Sequence, residues 1–170
     1  MGLSATEMVA RLRETFGERI REAAAAFGEA TAVIHRDDAL EIFAALRDRP
    51  ELAFNFLSDV TAVDYLGRTP RFEVVYQLYS VSQNHMLRMK IRVVEDDAWV
   101  HSLTPLWKCA NWLERECWDM LGIRFVGHPD PRRILMYEEF VGHPLRKDYP
   151  VDKRQPLVPE RDPIELGWKF

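Results

Sequence analysis

Residues 72–94 show the clearest alternation of apolar and polar positions in the chain. One face of this region is entirely apolar and consists of Phe72, Val74, Tyr76, Leu78, Leu87, Met89, Ile91 and Val93. Period-two alternation predicts β-strands with one buried face. The connector at 80–85 is polar and of hairpin length, so strands at 72–79 and 87–94 are predicted to pair antiparallel.

Helical spacing of apolar residues dominates the first 50 residues. Ser4 and Glu7 form a capping-box pattern ahead of a helically spaced apolar run that Gly17 ends. A second helix is predicted to begin at Asp37 or Asp38 and to end before residue 50, which is proline.

Shorter features complete the predicted fold of residues 1–126. Strands are predicted at 31–35 and 60–66, and residues 67–70 have turn chemistry. The order of elements is then β-α-β-β-β-α behind one extra helix. That order indicates an α+β domain with helices on one face of a mostly antiparallel sheet.

The last helix of this series is predicted at about 105–121, with Thr104 as N-cap and Pro105 as first residue. Its apolar stripe consists of Leu106, Cys109, Ala110, Leu113, Cys117, Met120 and Leu121. Trp107, Trp112 and Trp118 lie to either side of that stripe. Tryptophan and arginine anchor many protein interfaces. Other segments of the same chain can also cover these rings, and the sequence leaves both alternatives open.

From residue 127 onward the chain is punctuated by prolines at 129, 131, 144, 150, 156, 159 and 163. Proline fixes φ and removes an N–H donor, so residues 127–170 are predicted to form an extended arm. Apolar side chains nevertheless recur along it: Leu135, Met136, Tyr137, Phe140, Leu145, Tyr149, Leu157, Ile164, Leu166, Trp168 and Phe170. Disordered tails are poor in such residues. The arm is therefore expected to lie on its own domain or on a partner, and to be protease-sensitive when the chain is isolated.

Composition narrows the possible partners. The 170 residues are 47% hydrophobic and 29% charged, with a net charge of -4. The acidic balance argues against nucleic acid, although Arg88, Lys90 and Arg92 on the outer strand face leave an RNA-binding α+β module as a minor alternative. We expect no membrane insertion, because no apolar run approaches about 18 residues. The two cysteines suggest a reducing compartment.

Catalytic and metal sites are less favoured than structural roles. Cys109, Cys117, His128 and His143 lie in one third of the chain, but both cysteines fall on the core-facing stripe and are expected to be buried. No phosphate-binding motif is present, so neither NADH nor flavin is expected to bind here. The two Gly-His-Pro triplets are interpreted as turns whose imidazoles hydrogen-bond to the loop backbone or a neighbour.

Glu114 and Glu116 are interpreted as parts of an ion-pair network. Residues two apart on a helix do not face each other, so they cannot form a paired acid-base site alone. Pairing with arginines at 124, 132, 133 or 146 would fix the arm against the helix. Replacing Glu114 or Glu116 by alanine is therefore expected to impair assembly more than any chemical step.

A family resemblance follows from three motifs. They are Glu114-Arg115-Glu116 with His128 downstream, Arg132-Arg133-Ile134-Leu135, and the run from His143 to Pro150. Together they resemble the C-type subunit of proton-translocating NADH:quinone oxidoreductase, respiratory complex I. The resemblance covers roughly residues 50–150, and residues 57–65 and 72–76 look like the preceding strands of that family.

The resemblance implies a structural, cofactor-free subunit in the hydrophilic arm of complex I. Such a subunit supports electron transfer from NADH to quinone, coupled to proton translocation, while flavin and iron-sulfur clusters are expected in partner subunits. It is expected to pack against the quinone-site subunit and adjacent iron-sulfur subunits, and to be peripheral on the cytoplasmic side of the bacterial inner membrane. The interface candidates are Trp112, Glu114, Arg115, Glu116, Trp118, His128, Arg132, Arg133, His143, Arg146, Lys147 and Tyr149.

Other assignments remain open at this point. A membrane-bound hydrogenase, or a dehydrogenase with another electron donor, uses a homologous subunit. A free-standing enzyme is the remaining alternative beside the RNA-binding module. The motifs alone do not name the electron donor.

Overall fold

A computed structural model describes residues 2–155. Within that range the elements are α1 (Ala5–Phe16), β1 (Ile20–Ala26), β2 (Glu29–Ile34), α2 (Ala39–Asp48), β3 (Phe56–Asp64), β4 (Phe72–Ser80), β5 (His85–Val93), β6 (Trp99–His101), α3 (Ala110–Leu121) and β7 (Arg124–Val126). No helix among the described residues is long and apolar enough to cross a membrane.

Five of the strands form one sheet in the order β1-β2-β5-β4-β3. Strands β2 and β5 run parallel, and the other neighbouring pairs run antiparallel. Strands β6 and β7 form a separate short parallel pair. The predicted α+β class with a mostly antiparallel sheet is confirmed.

One face of the sheet forms the core together with the helices. The predicted apolar faces of β4 and β5 are buried, and Val74, Tyr76, Met89 and Ile91 are completely inaccessible. The buried apolar side chains of all three α-helices belong to the same hydrophobic cluster. Alternation along β4 and β5 therefore predicted correctly which residues face inward.

Helix α1 begins as its capping box predicted. The Ser4 hydroxyl accepts a hydrogen bond from the Glu7 N–H, and the Glu7 carboxylate accepts one from the Ser4 N–H at 2.8 Å. The two side chains thus satisfy N–H groups that have no partner within the helix. Gly17 ends the helix, also as predicted.

Strand β1 was not predicted. Its sequence contains four consecutive alanines, which favour a helix and show no alternation. It is a strand because it pairs antiparallel with β2 through a tight hairpin at Phe27 and Gly28, both of which have positive φ. Pairing with a neighbour overrides local propensity here.

The chain from residue 127 to 155 contains neither helix nor regular strand. Turns and bends recur along it, as expected of a segment punctuated by prolines. The predicted arm residues Pro156, Leu157, Pro159, Pro163, Ile164, Leu166, Trp168 and Phe170 lie outside the described residues. The division into a domain at 1–126 and an arm at 127–170 stays a prediction.

Candidate docking site around helix α3

Helix α3 begins five residues later than predicted, at Ala110. Thr104 and Pro105 are not its N-cap and first residue. Instead, residues 103–107 form a tight turn, in which two backbone N–H groups reach the Leu103 carbonyl at 2.9 Å. The Thr104 hydroxyl is engaged with the Ser102 hydroxyl at 2.8 Å, so it cannot cap the helix.

Glu114 explains this turn. Its side chain is completely buried, and it accepts hydrogen bonds from the Leu103 N–H at 2.6 Å and the Ser102 hydroxyl at 2.7 Å. The prediction that it pairs with an arginine is wrong, because its carboxylate points into the domain. Burial raises the pKa of Glu114 to about 7, although both hydrogen bonds oppose the rise.

Glu116 also differs from the prediction. Glu116 is exposed and forms no salt bridge with any residue in the range 2–155. Arg115 instead reaches the arm, donating to the carbonyls of Arg132 at 3.0 Å and Arg133 at 2.9 Å. Of the Glu-Arg-Glu triplet, only the arginine is hydrogen-bonded to the described part of the arm.

Asp119 is the main anchor of the arm, and the sequence did not single it out. Its fully buried carboxylate accepts hydrogen bonds from three consecutive backbone N–H groups, at Ile134, Leu135 and Met136, over 2.8–3.0 Å. Burial raises its pKa, but these donors and Arg133 outweigh that effect and hold the pKa of Asp119 below its ordinary value. The carboxylate is therefore charged at neutral pH.

Arg133 completes this anchor. It pairs with Asp119 at 2.5 Å and donates to the carbonyls of Phe140 at 2.9 Å and Gly142 at 3.1 Å. Its guanidinium also lies over the rings of Trp118 and Phe140, 5.6 Å from each centroid. One arginine thus closes the loop 133–142 onto the helix.

The second Gly-His-Pro turn caps the C-terminal end of α3. The last four carbonyls of a helix lack partners within it. Here the His143 ring donates a hydrogen bond to the Asp119 carbonyl at 2.9 Å. The Leu145 N–H donates to the Met120 carbonyl at 3.0 Å, and the Arg146 guanidinium donates to the Leu121 carbonyl at 2.7 Å. The fourth carbonyl, on residue 118, accepts from the N–H of residue 122 at 2.8 Å.

Gly122 makes this capping possible. Its φ is +77°, in the left-handed region that favours glycine. A Cβ at this position would lie 2.6 Å from the imidazole of His143 and 2.7 Å from the guanidinium of Arg146. The close approach of arm and helix therefore depends on the missing side chain.

A second anchor joins the arm to the sheet through Arg71, which is only 4% exposed. Arg71 binds Asp64 with two hydrogen bonds of 2.8 and 2.9 Å, and Asp148 with two of 2.7 and 3.0 Å. The Lys147 N–H also donates to Asp64 at 2.9 Å. Arg71 and Asp64 were not predicted, since no local pattern links them to Asp148 and Lys147, which lie 77 and 83 positions further along the chain.

The three tryptophans have three different surroundings. Trp107 is buried and meets the ring of Phe43 edge-on at 6.1 Å. Trp118 is partly covered by His143, with 6.4 Å between ring centroids. Trp112 is 62% exposed. The chain itself therefore covers Trp107 fully and Trp118 in part, and Trp112 is the most exposed of the three.

The remaining interface candidates lie along the arm. Arg132 is exposed and pairs with Asp130 at 2.7 Å. The Lys147 side chain is exposed, and Tyr149 stacks on Phe140 at 6.0 Å. Several apolar arm residues stay more than a third exposed: Leu135, Tyr137, Val141, Leu145 and Val151. The contact of these candidates with partners stays a prediction.

The first Gly-His-Pro turn is fastened by its imidazole. The His128 Nδ1 accepts from the Asp130 N–H at 3.0 Å, so Nε2 carries the proton and donates to the Asn111 carbonyl at 3.1 Å. The Nε2 atom lies 4.0 Å from the Glu114 carboxylate. Both Gly-His-Pro triplets therefore join arm turns to the backbone of α3.

Residues 2–155 contain no group of three or more His, Cys, Asp or Glu side chains that could hold a metal ion. Cys117 is buried as expected, and its thiol donates to the Val60 carbonyl at 3.3 Å. Cys109 is exposed, so the expectation that both cysteines are buried is wrong for this one. It precedes the helix start and thus leaves the predicted stripe.

The basic strand face is neutralised by glutamates. Lys90 pairs with Glu73 at 2.7 Å, and Arg92 with Glu22 at 2.6 Å. Arg88 pairs with a further glutamate, at position 29, at 2.6 Å. Phosphate binding would have to displace these partners, which weighs against an RNA-binding surface.

Two kinds of sequence comparison agree. The family model for the respiratory-chain NADH dehydrogenase 30 Kd subunit matches residues 32–155. The C-type subunit of the NADH-quinone oxidoreductase of Geotalea uraniireducens is 45% identical over 157 residues, which is 92% of each chain. That of Geobacter metallireducens is 47% identical over 144 residues, covering 84% of this chain and 88% of the relative.

Solved structures share the fold. The trypsin-resistant fragment (1-134) of Nqo5 matches with a TM-score of 0.64 and 32% identity, covering 72% of this chain and 98% of the fragment. A chain of an archaeal membrane-bound sulfane sulfur reductase matches with a TM-score of 0.69 over 86% of each chain. At 19% identity, the second likeness concerns the fold alone.

Proposed function

The chain belongs to the respiratory-chain NADH dehydrogenase 30 Kd subunit family, and we propose that it is a structural subunit of NADH:quinone oxidoreductase without a redox centre of its own. In this proposal partner subunits hold the flavin and iron-sulfur clusters. Electrons pass there from NADH to quinone, coupled to proton translocation. The chain contributes a rigid surface on which neighbouring subunits assemble.

This proposal rests on what the side chains of the family motifs bind in the structure. The side chains of Arg133, His143 and Arg146 all bind the helix or loop backbone of this same chain. Such groups are occupied in holding a shape and are not directed at a substrate. The shape they hold presents Leu135 and Leu145 to the outside, 56% and 60% exposed.

Exposed apolar side chains on a fixed loop favour protein contacts, because anchored residues lose little conformational freedom on binding. The partners proposed are the quinone-site subunit and the adjacent iron-sulfur subunits. The proposed location is peripheral, on the cytoplasmic side of the bacterial inner membrane, with attachment through other subunits. Trp112 and the exposed arm residues are the proposed contacts.

Deletion of the gene in its native host tests this role. Membranes of the deletion strain should lose NADH:quinone activity and the assembled complex, and the wild-type gene should restore both. A complete complex with a normal rate in the absence of this chain would contradict the structural role. The purified complex should oxidise NADH, and a complex that accepts only another donor would contradict the assignment of the enzyme.

The absence of a redox centre needs its own measurement. The purified chain should contain no stoichiometric flavin, iron or zinc and should show no NADH oxidation alone. Partner subunits can be identified by cross-linking of the intact complex in mild detergent. Contacts to subunits other than the quinone-site and iron-sulfur subunits would revise the proposed neighbours while leaving the structural role intact.

A further inference from the structure

A cavity of about 390 Å³ opens between α3, β7 and the turn that follows His128. Its walls include Trp118, Phe125 and Pro131, and the buried Glu114 lies at its base. This volume falls within the range of about 300–1,000 Å³ that is usual for binding pockets.

Arg124 lies at this cavity and differs from its neighbours. It is exposed, and its side chain forms no hydrogen bond or salt bridge with any residue between 2 and 155. The nearby Arg115 and Arg133 are both occupied by carbonyl or carboxylate groups of the arm. Arg124 thus offers a free guanidinium beside an aromatic wall.

The base of the cavity offers less to a polar ligand. The Glu114 carboxylate is already bound by the Leu103 N–H and the Ser102 hydroxyl. An occupant would therefore place apolar atoms against Trp118 and Phe125 and an acidic group at Arg124. Bidentate pairing of a guanidinium with a carboxylate is strong and directional.

We propose that this cavity receives a segment of another subunit of the same complex, with an apolar side chain inserted and a neighbouring Asp or Glu paired with Arg124. The inference rests on the proposed subunit role. Charge complementarity supports an acidic partner, because the mouth of the cavity carries Arg115 and Arg124. This local positive charge stands out on a chain whose net charge is -4. The exposed Trp112 lies on the same helix and extends the surface.

Site-specific photo-cross-linking in the intact complex tests the occupant. Val126 lines the cavity and is 49% exposed, so a benzoylphenylalanine placed there reports what fills it. The expected product is a cross-link to one other subunit, next to an acidic residue. Cross-links to residues 156–170 of this chain, to a second copy, or to nothing would overturn the proposal. The same probe at Phe27, in the exposed β1–β2 hairpin, controls for random capture.

Charge reversal tests the ion pair. Arg124→Glu should lower the amount of this chain recovered with the purified complex about tenfold, equivalent to about 1.4 kcal/mol. Arg124→Lys should retain most of it. Arg21→Glu is the matched control, since Arg21 is also exposed and forms no salt bridge among the described residues.

A compensating substitution separates pairing from misfolding. Exchange of the cross-linked partner acid for arginine should restore recovery of the Arg124→Glu chain. Equal recovery of the Arg124→Glu and Arg21→Glu chains, or no restoration, would overturn the proposal for the cavity. If the wild-type chain fails to co-purify with NADH:quinone oxidoreductase, the proposed function itself fails.

Discussion

Asp119 and Arg133 form a buried ion pair with 2.5 Å between Oδ1 and Nη1, and this pair ties the arm to α3. Burial of two charges is unfavourable unless the remaining lone pairs and protons find partners. Asp119 meets that condition through three N–H groups, and Arg133 meets it through two carbonyl groups. A polar network therefore holds this part of the arm to α3.

Replacement of Asp119 by asparagine should release the arm. The substitution leaves Arg133 without its carboxylate, and breaking one side of a buried pair costs about 3–5 kcal/mol. Urea unfolding should report this loss in the free energy of unfolding. Amide hydrogen exchange should accelerate at Ile134, Leu135 and Met136, whose N–H groups bind Asp119.

Asp152→Asn provides the control for that substitution, because Asp152 is an exposed arm residue. It should change the free energy of unfolding by less than about 0.5 kcal/mol. Unchanged exchange at residues 134–136 in the Asp119→Asn chain would contradict the role assigned to Asp119.

The substitution Gly122→Ala should be more damaging than its size suggests. Alanine in the left-handed region costs about 1–2 kcal/mol, and its Cβ would also collide with His143 at 2.6 Å. Gly67→Ala is a matched control, because Gly67 has φ +85° and no atom within 4 Å of an added Cβ. The difference between the two losses in unfolding free energy measures the packing of the arm, and equal losses would contradict it.

The sequence predicts the sheet and its buried face because alternation is a local signal. Strand β5 buries alternate residues along its whole length and β4 does so from Val74 onward, so Tyr76 and Met89 could be placed from spacing alone. Strand β1 could not be predicted, because its alanines carry no alternation and its pairing with β2 decides its conformation.

The fastening of the arm was predicted in kind but not in its residues. The sequence indicated acidic residues of α3 holding arginines of the arm, and it favoured Glu114 and Glu116. Asp119 does this instead, because it lies one helical turn after Arg115 and faces the arm, whereas Glu114 faces the domain interior. Helical spacing alone does not tell which side of a helix a later segment covers.

Removal of Arg71 should weaken the second anchor in a pH-dependent way. Its hydrogen bonds are the largest cause that lowers the pKa of Asp64 below its ordinary value. A depressed acid contributes stability above its unfolded pKa and loses it as pH falls through the folded pKa. Arg71→Met should therefore lower the free energy of unfolding by about 3–5 kcal/mol at pH 7.

The same comparison at acidic pH separates charge from packing. The difference between wild type and Arg71→Met should shrink as pH falls through the folded pKa of Asp64, because the carboxylate then becomes protonated and loses its ion pair. Arg68→Met is the control, since Arg68 is exposed and lies over the ring of Tyr65 at 5.1 Å. A difference that stays constant from pH 7 to pH 3 would contradict the ion-pair account.

Limited trypsin digestion should distinguish the fastened part of the arm from the residues after it. Arg133 and Arg146 are held against α3 with side chains only 14% and 24% exposed. The purified chain should thus be cleaved first after Lys153 or Arg154, which are exposed. This refines the expectation that the whole arm after Gly127 is sensitive, and early cleavage after Arg133 would contradict it. In the assembled complex the cleavage at residues 153–154 should slow.

Glu114 should make the stability of the chain fall as pH rises. Burial raises its pKa in the folded state to about 7, from 4.5 for the free side chain. The folded state therefore retains a proton that the unfolded state releases, and stability declines as pH rises from about 4.5 through 7.

Glu114→Gln should remove this dependence, because glutamine does not titrate. From pH 5 to pH 8 the free energy of unfolding of the wild type should fall by on the order of 3 kcal/mol more than that of the variant. The variant thus gains this amount relative to wild type. Urea unfolding at both pH values measures the gain, and Glu116→Gln, at an exposed position of the same helix, is the control. If the Glu114→Gln and wild-type curves run parallel, Glu114 is ionised in the folded chain, and burial does not control its charge.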